Sequence, residues 1–302
     1  MLSLIYIFII GCEIDSGNEE KPEIAEEETE LLPYPVIIND TEIEKQPEMI
    51  VSLSPALTEM IFEFGEDKKL VGRCNYCDYP KAVTDVKNFG SSARPDIDGI
   101  IGLKPDLLLI STPLAAKDLL TMESHGIKTL LFESPKNLDE FKRAYEGLGL
   151  ALNGLFTGTE VGEQQFSEIS KVFDNSDVIN IGKFAYITED LKIAAGGTLE
   201  HAVFSCFGDN IAKDREGYVS PDDLFDDVQP DIIILNDKYN LNRLKDHDVY
   251  SGLSAVDGDR VIYVTNLYFE RPTVRITELI EKFILDYKSL DQLYNRVHVP
   301  AS

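Results

Sequence analysis

The chain is poor in positive charge. Its 302 residues include 28 Lys and Arg against 54 Asp and Glu, and the formal net charge is -26 at pH 7. A nucleic-acid backbone would be repelled by such a surface rather than neutralised by it, which argues against nucleic acid as a partner. The remaining composition, with 43% hydrophobic and 27% charged residues, is ordinary for a globular protein and leaves room for two modest domains.

Histidine and catalytic motifs are also scarce. The four histidines, His125, His201, His247 and His298, are not paired at the spacing of metal ligands, which argues against a site for free zinc or manganese ions. The chain lacks a GxSxG elbow, a phosphate-binding glycine loop and a Cys–His arrangement near its CxxC pattern. The sequence therefore predicts no catalytic residue, no metal site and no cofactor.

The N-terminal apolar run, residues 2–10, is far shorter than the roughly 20 residues of a membrane-spanning helix and is typical of a signal peptide. It ends in Gly11 and Cys12, which resemble the lipobox of bacterial lipoproteins, although no Lys or Arg precedes the run. We predict a signal peptide over residues 1–12 with lipidation of Cys12. The glutamate-rich residues 13–33 are predicted to be a disordered tether.

Cys74 and Cys77 form a CxxC pattern, which suggests either a zinc site or a redox dithiol. A redox dithiol normally lies at the N-terminus of a helix, whereas Asp78 adds negative charge here and Pro80 interrupts any helix. Thiol oxidoreductase activity is therefore disfavoured. A disulfide that tightens the loop and a pair of free thiols both stay open, and Cys206 leaves an odd number for a complete disulfide framework.

Apolar runs alternate with helical patterns after residue 34. Strands are predicted at residues 36–38, 49–53, 69–73, 107–110, 129–132, 184–188, 232–235 and 261–264, and helices at residues 55–64, 138–148, 159–173 and 271–288. Alternation at this spacing predicts parallel α/β sheets. We predict α/β lobes over residues 34–155 and 177–302, with a connecting helix over residues 156–176.

Two segments share one plan, DIDGIIGLKPDLLLI at residues 96–110 and SPDDLFDDVQPDIIIL at residues 220–235. In each segment an acidic residue is followed by a predicted helix, then by a Pro-Asp pair, and then by an apolar strand. Asp98 precedes Pro105 by seven positions, and Asp223 precedes Pro230 by the same number. The equal spacing indicates either equivalent positions in two lobes or the common pattern of a short helix that leads into a buried strand.

Several segments together resemble the helical-backbone (class III) solute-binding proteins of ABC importers, the Fe/B12 periplasmic-binding group, over roughly residues 34–287. They are IVSLSPALTEMIFEFG (50–65), VGRCNYCDYPKA (71–82), IGLKPDLLL (101–109), FGDNI (207–211) and LYFERPTVR (267–275). Tyr-x-Asp-Tyr-Pro and Phe-Glu-Arg-Pro-x-x-Arg point to the vitamin B12-binding members. The resemblance implies two Rossmann-like α/β lobes joined by a single long backbone helix. It also implies a ligand cleft between the lobes.

The same resemblance implies roles for individual residues. Ligand contacts are expected from aromatic and polar residues of both lobes: Tyr76, Asp78, Ser92, Arg94, Tyr218, Tyr268, Phe269 and Arg271. Tyr218 lies in a stretch where B12-binding relatives place a tryptophan, a residue type that this chain lacks. A corrin or porphyrin presents a large apolar plane with polar edges, which suits aromatic faces and a few polar groups.

The resemblance further implies a transport partner. Asp98 and Asp223 are expected at the outer tips of the lobes, paired with arginines of an ABC permease dimer that works with ATPase subunits; Asp222 is the alternative to Asp223. The expected ligand is a corrinoid of the vitamin B12 type, with a ferric siderophore or haem as the alternative. The lipid anchor would hold the protein on the outer face of the cytoplasmic membrane.

Overall fold

The computed structural model describes residues 33–174, 179–222, 224–236 and 241–298. Cys12, the predicted signal peptide, nearly all of the predicted tether, and Asp223 lie outside the described residues. Within the described ranges strands and helices alternate along two lobes, called here the first and second lobe. No helix in this part of the chain is both long and apolar enough to cross a membrane.

The first lobe contains the strands β1 (Val36–Ile38), β2 (Thr41–Ile43), β3 (Ile50–Ser52), β4 (Leu70–Arg73), β5 (Gly90–Ser91), β6 (Arg94–Pro95), β7 (Leu107–Ile110) and β8 (Lys128–Leu131), and the helices α1 (Pro55–Glu63), α2 (Ile97–Leu103) and α3 (Ala116–Ser124). Its main sheet is parallel throughout, in the order β4–β3–β7–β8. Strands β3 and β7 are buried along their whole length, as the continuous apolar runs predict.

Helices α4 (Leu138–Asp174), α5 (Leu199–Phe204), α6 (Asn242–Lys245), α7 (Ser254–Asp257), α8 (Leu267–Glu270) and α9 (Ile276–His298) follow, with strands β9 (Lys183–Ile187), β10 (Ile193–Ala194), β11 (Asp209–Asn210), β12 (Tyr218–Val219), β13 (Ile232–Asn236) and β14 (Val261–Val264). Strands β9 to β14 form the sheet of the second lobe. Its order is β12–β10–β9–β13–β14, with β11 paired to β9. The neighbours β9, β13 and β14 are parallel, whereas β10 and β12 add an antiparallel edge.

Helix α4 is a hairpin rather than one straight rod. Gly154 has φ 75° and ψ -178°, a backbone conformation that interrupts the helix. The arms, residues 138–153 and 155–174, then fold back on each other. A Cβ at Gly149 would lie 2.3 Å from the carbonyl oxygen of Gly158, so only glycine permits this close approach. The second arm, about 30 Å long at 1.5 Å per residue, is the backbone helix that leads to the second lobe.

Most predicted elements are confirmed with shifts of one or two residues, and so is the fold class of two α/β lobes. Two predictions need correction. The last helix spans Ile276–His298 rather than residues 271–288, and it begins only after Pro272 and the buried Thr273. The helix predicted in the second copy of the shared plan is absent from residues 224–230, which form turns and bends. In that segment the ring of Phe225 packs against the ring of Tyr250, and the residues lack the apolar stripe that a helix needs.

A buried ion pair connects the two lobes. Glu59 of α1 is only 2% exposed, and both of its carboxylate oxygens lie 3.3 Å from Nη1 of Arg275. The hydroxyl of Thr273 donates a second hydrogen bond to Oε2, at 3.2 Å. Arg275 and Thr273 lie between the last strand of the second lobe and α9, so this cluster ties the second lobe to the first helix of the first.

Glu63 lies one turn further along the same face of α1. The hydroxyl of Tyr145, on the first arm of α4, donates a hydrogen bond to its Oε2 at 2.7 Å. Burial raises the pKa of Glu63 to about 7, and the neighbouring carboxylate of Glu59 acts in the same direction. Helix α1 therefore places two acidic side chains under the junction of the lobes, only one of which faces an arginine.

Replacing Glu59 by alanine is expected to lower the free energy of unfolding by about 3 kcal/mol, because it leaves Arg275 without its carboxylate. This is the lower end of the usual cost of breaking a buried pair, since the Arg275 side chain keeps 18% of its exposure. Urea denaturation measures the effect. Glu44→Ala is the matched control, because it breaks an exposed pair with Lys128 and should cost less than about 1 kcal/mol. Equal losses in the two variants would refute the structural role given to Glu59.

Glu63→Gln is expected to change how stability depends on pH. With its pKa raised to about 7, Glu63 binds a proton more tightly in the folded protein than in the unfolded chain. Its contribution to the free energy of unfolding therefore falls as the pH rises from 4.5 to 7 and stays low above that window. Glutamine removes this titration, so the variant gains on the order of 3 kcal/mol relative to wild type across the window.

Urea denaturation at a series of pH values measures that gain. Asp67→Asn removes one exposed carboxylate nearby and serves as the control. Parallel stability curves for wild type and Glu63→Gln between pH 4.5 and 7 would contradict the shift assigned to Glu63.

Candidate functional site

The candidate site is the junction where loops at the carboxyl ends of the parallel strands of both lobes meet. On the first lobe, β4 leads into the loop of residues 74–80; on the second, β14 leads into the segment of residues 267–275. Ligands of open α/β sheets bind outside the carboxyl ends of the strands. The loop and the segment are called here the first and second cleft loops.

The first cleft loop begins with a tight turn. The N–H of Cys77 donates to the carbonyl of Cys74 at 3.3 Å, and Nη1 of Arg73 donates to the carbonyls of both cysteines, at 3.0 and 3.3 Å. A cis peptide bond joins Tyr79 to Pro80 at the end of the loop. The turn leaves the side chain of Tyr76 63% exposed, and its contact with ligand stays a prediction.

The two cysteines lie beneath the turn as buried free thiols. The hydroxyl of Thr58 in α1 donates to Sγ of Cys77 at 3.2 Å, and the N–H of Cys74 donates to the same sulfur at 3.3 Å. A hydrogen bond between the two thiols lowers the pKa of Cys74 to about 7 and raises the pKa of Cys77. Of the alternatives left open by the CxxC pattern, the structure has the packed thiols, and the described residues contain no cluster of metal ligands.

The second cleft loop meets the first through two arginines. The guanidinium of Arg271 forms an ion pair with the exposed carboxylate of Asp78. The guanidinium of Arg275 lies between two tyrosines, 3.9 Å from the ring centre of Tyr79 and 5.5 Å from that of Tyr268. Three predicted ligand-contacting residues, Asp78, Tyr268 and Arg271, are therefore brought together at the point where the lobes touch.

This junction carries little uncompensated positive charge. Arg271 faces Asp78, and Arg275 faces Glu59. Burial raises the pKa of Glu59, although Arg275 opposes the change. The arginines therefore serve first as bridges between the lobes, and each has a carboxylate partner before any ligand arrives.

Tyr218 extends the aromatic surface on the second lobe. It lies in the edge strand β12, is 52% exposed, and its hydroxyl lies 3.0 Å from both carboxylate oxygens of Glu200. Glu200 is 3% exposed, in the first turn of α5. Burial raises the pKa of Glu200. Burial also raises the pKa of Tyr218, and the nearby carboxylate of Glu200 raises it further.

Phe269 is the predicted contact that the fold places elsewhere. It is 8% exposed and packs in the core, with ring centres 5.8 Å from Tyr186 and 6.0 Å from Phe204. Helix α8 is short and amphipathic, so Tyr268 and Phe269 lie on different faces and only the former is partly exposed. Phe269 therefore packs beneath the second cleft loop, and its burial does not agree with the predicted contact with ligand.

Ser92 and Arg94 lie in the β5–β6 hairpin beside the first cleft loop. The N–H of Asn75 donates to the carbonyl of Gly90 at 2.7 Å, which joins the hairpin to that loop. Ser92 is partly buried, and Arg94 is exposed. The hairpin thus belongs to the rim of the cleft rather than to its floor.

The predicted docking acids are only partly described. Asp98 is exposed in the first turn of α2, whose N-terminus is capped by the Asp96 side chain through the N–H of Gly99. Asp222, the alternative to Asp223, is exposed and accepts a hydrogen bond from Ser220 at 2.7 Å. Asp223 itself lies outside the described residues.

Sequence reasoning missed the acids that organise the site. Glu59 and Glu63 are four residues apart within the otherwise apolar stretch EMIFEF, so both fall on one face of α1. Acidic residues on the apolar face of a helix are a recognisable sign of buried partners. No local sequence pattern marks Glu200 in this way, because its partner Tyr218 is 18 positions away in the sequence.

Comparison with known proteins agrees with this architecture. The model of the periplasmic binding protein family matches residues 50–267. The uncharacterized ABC transporter substrate-binding lipoprotein YvrC of Bacillus subtilis is 26% identical over 299 residues, which cover 93% of each chain. A vitamin B12-binding protein of Vibrio cholerae is 28% identical over 249 residues, which cover 78% of this chain and 87% of the relative.

A solved structure supports the fold. The crystal structure of a possible iron-binding (periplasmic solute-binding) protein from Staphylococcus epidermidis superposes with a TM-score of 0.69 at 21% identity, and the match covers 79% of this chain and 98% of that one. Its identity is too low to carry more than the fold. The family match spans more than half of the chain, and the chain therefore belongs to the periplasmic binding protein family, as a solute-binding protein and not an enzyme.

Proposed function

We propose that this protein is the substrate-binding lipoprotein of an ABC importer, and that it captures a corrinoid of the vitamin B12 type in the cleft between its lobes. The protein would then deliver the corrinoid to a permease dimer that works with ATPase subunits. The names of the Bacillus and Vibrio relatives support the importer and the corrinoid, respectively. Lipidation of Cys12 would anchor the protein on the outer face of the cytoplasmic membrane.

The charge compensation in the cleft is the observation that carries the choice of ligand. A corrinoid offers a broad apolar plane edged by amides, which suits exposed tyrosine rings such as Tyr76 and Tyr218. An anionic chelate would need cations free to receive it. Arg271 and Arg275 are already paired with Asp78 and Glu59, so the junction of the lobes favours a chelate without net negative charge.

An iron chelate or haem is the second candidate. The exposed Arg94 in the β5–β6 hairpin, which could receive an anionic group, favours it. Because Arg271 and Arg275 already have carboxylate partners, fewer cations are left for an anionic chelate, and this is why the corrinoid ranks first.

Titration of the purified full-length protein with cyanocobalamin, haemin and a ferric hydroxamate siderophore tests the ligand. We expect cyanocobalamin to raise the free energy of unfolding by about 2.7 kcal/mol when present at a hundred times its dissociation constant. Haemin and the siderophore are expected to leave the thermal midpoint unchanged. Stabilisation by either of these two and not by cyanocobalamin would reverse the ranking.

Tyr76→Ala is expected to weaken cyanocobalamin binding about threefold to tenfold, the usual worth of one aromatic contact. Tyr294→Ala is the matched control, because Tyr294 lies against Arg260 at the amino end of β14, opposite the cleft. Isothermal titration calorimetry measures both variants. An unchanged affinity in Tyr76→Ala would remove this residue from the proposed contact surface.

The docking proposal is tested by Asp98→Arg combined with Asp223→Arg. The double variant should bind cyanocobalamin as wild type does and should abolish uptake in cells, because it places like charges against the arginines of the permease. Glu123→Arg with Asp257→Arg makes the same change of charge at two other exposed acids and should leave uptake intact. Uptake that persists in the first double variant would mean that these acids are not the docking points.

A further inference from the structure

Tyr218 is an exposed aromatic residue whose position is fixed by a buried acid. Its strand, β12, is the edge of the second sheet, where Tyr218 pairs with Ala194 of β10. Half of its surface faces solvent, yet its hydroxyl reaches inward to Glu200, at 3.0 Å from each carboxylate oxygen. A tyrosine on an edge strand would otherwise be free to change rotamer.

Glu200 is unusual for an acid, since it is almost completely buried. Removing a carboxylate from water is costly unless hydrogen bonds compensate it, and the Tyr218 hydroxyl is the side-chain partner that the structure gives it. The arrangement is therefore reciprocal: Tyr218 satisfies the carboxylate, and the carboxylate fixes the ring. Truncating either side chain should release the other.

Glu200 is itself held by the core of the second lobe. Phe204, four residues later on the same face of α5, packs against Tyr186 and Phe269, with ring centres 5.7 and 6.0 Å away. Phe269 belongs to α8, which also carries Tyr268 at the junction of the lobes. Helix α5 therefore carries both the acid that holds Tyr218 and a ring that packs against the helix of the second cleft loop.

We propose that Glu200 is a positioning residue for ligand binding, which holds the ring of Tyr218 as a preorganised aromatic platform for a neutral or cationic planar metal chelate. This inference rests on the proposed function. A ring fixed before binding does not lose rotamer freedom when the ligand arrives, so more of the contact is realised as affinity. A carboxylate hydrogen-bonded to the phenol also makes the ring richer in electrons, which disfavours an anionic chelate edge.

Calorimetric titration with cyanocobalamin of four full-length variants tests the platform. Glu200→Ala and Tyr218→Phe each break the hydrogen bond and are expected to weaken binding about threefold to tenfold. Glu200→Gln keeps an acceptor oxygen and should stay within about twofold of wild type. The double variant Glu200→Ala/Tyr218→Phe should bind no more weakly than the weaker single variant, because both changes remove the same bond.

Two results would overturn the inference. One is a Glu200→Ala variant that binds cyanocobalamin as tightly as wild type. The other is a double variant whose loss equals the product of the two single losses, which would show that the side chains act independently. Circular dichroism and thermal melting of each variant establish that a loss of affinity is not a loss of fold.

A measurement without ligand separates this inference from the proposed function. The chain contains no tryptophan, so Tyr218→Trp introduces a single indole whose N–H can donate to Glu200. The fluorescence anisotropy of that indole should fall when Glu200→Ala is added, and should stay constant when Glu200→Gln is added. Tyr294→Trp is the control, and its anisotropy should not respond to either change.

The binding measurement and the anisotropy measurement can each give a negative result without the other. If wild type binds no cyanocobalamin, the proposed ligand is wrong, while the anisotropy still reports whether Glu200 orders the ring. If wild type binds and the anisotropy is indifferent to Glu200→Ala, the positioning role is wrong and the proposed function stands.

Discussion

The buried contact between Glu59 and Arg275 is the interaction on which the cleft depends. Burying an acid to 2% exposure is costly unless an arginine and a hydroxyl compensate it, so α1 and the segment before α9 have to stay together. That requirement places the two cleft loops against each other. The ion pair of Arg271 with Asp78 and the stacking of Arg275 between Tyr79 and Tyr268 follow from the same placement.

In the site, the two arginines of the second cleft loop are paired with carboxylates rather than left free to attract an anionic ligand. Arg271 and Arg275 of the second cleft loop each face a carboxylate, Glu63 lies beside Glu59, and the whole chain carries a net charge of -26. Desolvation of an anion beside these buried carboxylates would not be compensated, and the proposed preference for an uncharged ligand rests on this. The exposed tyrosines supply area, and buried acids such as Glu200 determine where that area lies.

Much of the fold could be predicted from residue patterns. Wholly apolar runs such as Leu107–Ile110 are strands because both faces of a parallel sheet are covered, and Ser54 followed by Pro55 starts a helix because the serine caps it. A family resemblance assigned Asp78 and Arg271 to opposite lobes of one site, and the structure joins them in an ion pair. Phe269 was misplaced, because sequence spacing does not tell which of two adjacent aromatics on a one-turn helix faces the core.

The sequence by itself determined the class of fold, the alternation that produces two lobes, and the acidic surface that excludes nucleic acid, since these depend on local periodicity and composition. Only the tertiary structure decided which charges compensate one another. Glu59 and Arg275 are 216 positions apart, and the break at Gly154 turns one helical pattern into a hairpin. Contacts over such separations depend on how the lobes pack, which no local pattern encodes.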